Sequence, residues 1–123
     1  MKKSFGAFLS EKRVLKDISL RHFSKIIGIS PEYLSKIENN LRPAPKDIVL
    51  EKIADKLSLS IEDREILFDL AAESKAKLSL ATDLVEYIRE NEIVHKTLRL
   101  AKRCKVTTEE WQEIFDNIAK KHL

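Results

Sequence analysis

Apolar residues recur along this chain three and four positions apart, the period of helices that bury one face. Phe5, Phe8 and Leu9 mark a helix over residues 4–15. Phe23, Ile26 and Ile27 mark a second, with Ser19 as its N-cap and Gly28 ending it in the left-handed conformation that glycine adopts cheaply. A third runs from Pro31 to about Asn39, capped by Ser30, with proline at N1 where its missing N–H costs nothing. Leu34 and Ile37 give that helix only a narrow apolar stripe, which leaves Glu32, Tyr33, Ser35, Lys36 and Asn39 pointing outward. After a stiff Pro43–Pro45 loop, Val49, Leu50, Ile53, Ala54 and Leu57 define a helix over 47–57. The next, capped by Ser60 and running over 61–75, is apolar over so wide an arc that burial on two sides is expected.

A connection is read over residues 76–81, followed by helices to Asn91 and from Glu92 to Cys104. The last helix has the clearest start: Thr107 and Glu110 form a capping box, and Trp111, Ile114, Phe115, Ile118 and Ala119 follow in helical period. Either it closes the core of its own chain or it joins a dimer interface, where Trp and Phe are favoured. No strand pattern appears, so the fold is expected to be all-α.

A short helix, a tight turn and a second helix with a polar outer face are the layout of a helix-turn-helix whose second helix enters the major groove. The string GISPEYLSKIENN, followed by LRPAP, resembles the Cro/cI-type (XRE) family over roughly residues 4–59. The resemblance extends to small phage-like or mobile-element repressors with a helical C-terminal extension. It implies a lambda-repressor-like five-helix DNA-binding domain in residues 1–75. About three further helices in 76–123 would serve dimerisation or a partner.

By family position, Pro31, Glu32 and Lys36 face base edges, and Tyr33 faces the groove wall or a phosphate. Lys36 can donate to guanine O6 and N7, and Glu32 can accept from cytosine N4. For Tyr33 the alternative is packing beside Leu34. Phosphate contacts fall to Ser19, Arg21, Ser30, Asn39, Asn40 and Arg42. Arg21 stands in for the glutamine usual just inside the second helix, where this chain has Leu20. Ser24 replaces the family's alanine at the close helix crossing and is small enough to keep it. Arg13 and Glu38 correspond to a partly buried ion pair that fixes the recognition helix. Asn40 sits where glycine commonly ends that helix, and asparagine is the next best left-handed cap.

Charge supports a division of labour. Residues 1–60 carry twelve Lys and Arg against seven Asp and Glu, and residues 61–123 carry eleven against thirteen, within a net charge of +3. The basic half suits phosphate contact, although ordinary surface charge can produce such a difference. Hydrophobic content of 43% and charged content of 35% indicate a globular chain. No apolar run approaches the roughly 18 residues that span a bilayer. The N-terminal apolar stretch is cut by Glu11 and Lys12, so no signal peptide is read there. A lone Cys104 fits a reducing cytoplasm.

Catalytic chemistry is not expected. His22, His95 and His122 share no ligand spacing with one another or with Cys104, so neither metal nor cofactor is anticipated. Two glycines cannot build a phosphate loop. Lys102, Arg103 and Lys105 flank Cys104; they can activate its thiol or simply suit the helix C-terminus. The expectation is a sequence-specific regulator, a repressor that binds an inverted-repeat operator in double-stranded DNA as a homodimer. The alternative is an antitoxin that autoregulates its operon and neutralises a toxin through its C-terminal helices.

Overall fold

The computed structural model describes residues 3–75 and 80–123. They form eight helices and, among the described residues, no strand. These are α1 (Phe5–Leu15), α2 (Leu20–Ile27), α3 (Pro31–Glu38), α4 (Asp47–Lys56), α5 (Ile61–Glu73), α6 (Thr82–Glu90), α7 (Glu92–Cys104) and α8 (Thr108–His122). The all-α class expected from the periodicity is what the chain adopts. Of the connection read over 76–81, residues 76–79 lie outside the described residues. The chain divides into two compact units, Met1–Val85 and Glu86–Leu123, with the division inside α6.

Local chemistry starts most of these helices. The hydroxyls of Ser4, Ser19, Ser30 and Ser60 each accept a hydrogen bond from the N–H three residues on. Each satisfies one of the orphan donors of a helix N-terminus, a cap that contributes about 1 kcal/mol. Thr107 and Glu110 form the full capping box of α8.

In the first unit α1 packs on α3 and α5, α2 on α3 and α4, and α4 on α5. Phe23, Leu9, Ile27, Leu34, Leu50, Ile53 and Leu67 are fully buried at the centre. Ser74 secures the loop before α4: its hydroxyl accepts from the Ala44 N–H at 2.9 Å and donates to the Ala71 carbonyl at 2.7 Å. Arg64 lies over the Phe68 ring, 5.5 Å from its centroid, and reaches Asp55 at 3.4 Å.

Two-sided burial of α5 is incomplete. Leu67, Phe68, Leu70 and Ala71 are buried, but Ile66 is 43% exposed and lines an open depression with Leu80 and Ala81. Ile66 also borders a depression with Phe8, Glu11 and Lys12 of α1, and the segment around Ala81 reaches Phe68 and Ala71.

The second unit is built differently. Ala101 is the one residue buried among α7, α8 and residues 86–90. No residue of α8 is buried. No helix among the described residues is long and apolar enough to cross a membrane.

Candidate nucleic-acid interface

The turn between α2 and α3 is set by Gly28, at φ 77° and ψ 33°. The Ile29 N–H reaches back to the Ser24 carbonyl at 3.0 Å and closes the helix end. Ser24 is buried at the crossing, where its hydroxyl donates to the Arg21 carbonyl at 2.7 Å and leaves no unpaired polar atom. Ser30 and Pro31 then restart the helix at once. Two short helices are thereby held at a fixed angle by a linker of very few residues.

The inner face of α3 is Leu34 and Ile37, both essentially inaccessible. Its outer face presents Glu32, Lys36 and Asn39 exposed, with Pro31 and Ser35 half-buried. Tyr33 is half-buried and packs against the core beside Leu34. The Asn39 amide folds back to the Ser35 carbonyl at 2.8 Å.

Arg13 fixes the far end of α3. Its Nε donates to Glu38 Oε2 at 2.8 Å and its Nη2 to Glu38 Oε1 at 2.9 Å, a bidentate pair. Its Nη1 donates to the Ile18 carbonyl at 2.8 Å, which ties the α1–α2 link to the same guanidinium. The side chains are only 12% and 6% exposed. Hydrogen bonding to Glu38 holds Arg13 above its ordinary pKa, against the opposing effect of burial.

Gly6 was not singled out from the sequence, yet α1 meets the end of α3 there. A Cβ on Gly6 would lie 2.5 Å from the backbone carbonyl oxygens of both Ile37 and Glu38. Asn40, at φ 61°, completes the junction: its Oδ1 accepts from the Gly6 N–H at 3.2 Å and its amide donates to Ser4 Oγ at 3.0 Å. Helix propensity alone would make Gly6→Ala stabilising by about 0.5–1 kcal/mol. Contact with rigid backbone reverses the sign, and we expect a loss of about 1–3 kcal/mol. Urea unfolding followed by far-UV circular dichroism measures it, and a stability equal to wild type contradicts the close approach.

Exposed cations stand on α2, on α3 and on the loop that follows it. Arg21 and Lys25 on α2, Lys36 on α3 and Arg42 on the following loop form no ion pair with any described residue. Lys52 on α4, also missed in the sequence, sets its Nζ about 3.9 Å from where a Gly28 Cβ would stand. Ser19 and Ser30 spend an oxygen lone pair on capping and keep the hydroxyl hydrogen to donate. No group of His, Cys, Asp and Glu able to hold a metal occurs among the described residues.

Residues 9–63 match the family model described as helix-turn-helix. The match supports a Cro/cI-type helix-turn-helix over these residues. No curated protein and no solved structure matches the chain. The matched segment lies within the first unit and contains the Arg13–Glu38 pair, the α2–α3 turn and these cations. The match supports a DNA-binding transcriptional regulator.

Proposed function

We propose that the protein is a non-catalytic transcriptional repressor in the cytoplasm that occupies an inverted-repeat operator as a homodimer. The observation that carries this reading is the outward face of α3: exposed Lys36 and Glu32, anchored from behind by the Arg13–Glu38 pair, with unpaired cations on the helix before it and the loop after it. Pro31, Glu32, Tyr33 and Lys36 read bases, and Ser19, Arg21, Ser30, Asn39, Asn40 and Arg42 hold phosphates. Asn40 uses one amide hydrogen on Ser4 and keeps the other for this purpose. One recognition helix reads only a few base pairs. Useful specificity therefore needs two half-sites about 34 Å apart, which a two-fold dimer supplies. Occupancy then excludes polymerase sterically.

The test is binding of the full chain to DNA from just upstream of its own gene, titrated with salt and competitor DNA. Two protomers per site, resistant to competitor, are expected. Two arginine–phosphate contacts per protomer give a salt slope of about −4, at about −0.9 per neutralised phosphate. Weak binding that competitor abolishes contradicts the operator reading. A second reading, an antitoxin, draws on the apolar side chains that α7 and α8 leave exposed. Co-purification of a small partner protein from the native host would favour it.

A further inference from the structure

Residues 86–123 fall below the roughly 40 residues under which a chain usually needs a disulfide, a metal or a second chain to fold stably. Cys104 is free, and no described residues group into a metal site. With Ala101 their one buried residue, α7 and α8 lack a core. Yet α8 carries an apolar stripe: Trp111 is 36% exposed, Ile114 43%, Phe115 66% and Ile118 57%. Such a stripe is amphipathic design without the surface it was designed to meet.

The charges of α8 identify the occupant. Its first turn carries Glu109 and Glu110, with Glu113 and Asp116 following; its last turn carries Lys120, Lys121 and His122. Among the described residues none of these charges forms an ion pair. Two such helices laid antiparallel set each acidic end beside the other's basic end, and their helix dipoles oppose favourably. Laid parallel, like charges meet. The apolar stripe is also nearly symmetric about its middle, so antiparallel pairing seats Trp111 near Ile118 of the other copy and the two Ile114 side chains near the axis. This is the self-complementarity that a two-fold interface requires.

We propose that α8 pairs antiparallel with α8 of a second copy and that this contact forms the homodimer. The inference rests on the dimeric reading above and supplies its surface.

The experiment uses the full chain. Light scattering across a dilution series gives the mass, and Trp111, the chain's sole tryptophan, reports the environment of α8. A two-copy mass is expected, with Trp111 emission shifting to the red as dilution separates the copies. Phe115→Glu is expected to weaken self-association at least roughly thirty-fold, as removal of an interface hot spot does. Its first unit should melt as in wild type. Orientation is read by crosslinking in a Cys104→Ser background. Ile114→Cys should link to itself, and Trp111→Cys should link to Ile118→Cys but not to itself. Self-linking of both Trp111→Cys and Ile118→Cys means parallel helices and overturns the proposal. So does a dimer that survives both Phe115→Glu and Ile118→Glu, although two protomers per operator would still leave the repressor reading standing. A monomeric wild type that binds operator singly removes both.

Discussion

Glu38→Ala is expected to destabilise the first unit by about 3–5 kcal/mol, the largest stability effect we anticipate for a single side chain in this domain. The cost comes less from the lost attraction than from what remains. Arg13 stays charged, is 12% exposed and loses two of its three hydrogen bonds. Arg13→Ala strands Glu38, 6% exposed, in the same way and also frees the Ile18 carbonyl. Replacing both residues together with Met and Leu removes the stranded charge and should recover most of the loss. Urea unfolding by far-UV circular dichroism yields all the values needed for a double-mutant cycle. The first unit contains no tryptophan, so fluorescence would report the wrong half of the chain. Additive single losses would mean that the two charges act independently in solution.

Lys36→Ala is expected to weaken binding to the cognate site about 10- to 100-fold, the 1–3 kcal/mol of a good base contact, while leaving the unfolding curve unchanged. Lys36 is exposed on α3 and forms no ion pair with any described residue, so the fold loses nothing. The loss should fall on one base pair, with operator variants at that position bound as well as the original. Arg42→Ala provides the contrast. Its loss should be nearly uniform across sequences, and the salt slope should fall by about one for each phosphate contact removed. Competition binding against single-base operator variants separates the two patterns. A uniform loss for Lys36→Ala would move that residue from base reading to phosphate contact.

The sequence alone determined the helices and their ends. Ser19, Ser30, Ser60 and Thr107 cap through their own hydroxyls, and Gly28 turns because only its backbone tolerates the left-handed region cheaply. These are interactions between residues three or four apart, and a linear pattern records them directly. The two-sided arc of α5 was less legible. Periodicity shows that Ile66 is apolar but not whether another segment reaches it.

Contacts between distant residues were decided by the tertiary structure. Arg13 and Glu38 are 25 residues apart, and no spacing rule joins them; family resemblance suggested the pair, and packing of α1 on α3 supplies its bidentate geometry. Gly6 looked like an ordinary weak position in a helix, because the carbonyls that demand it belong to Ile37 and Glu38. Lys52 reaches the α2–α3 turn only because α4 packs beside α2. The fate of α8 follows the same division. Its capping box and apolar stripe are written in sequence, whereas its lack of any buried residue appears only once the chain is folded. Local backbone chemistry is fixed by neighbours along the chain. Burial and electrostatic pairing depend on which surfaces folding brings together.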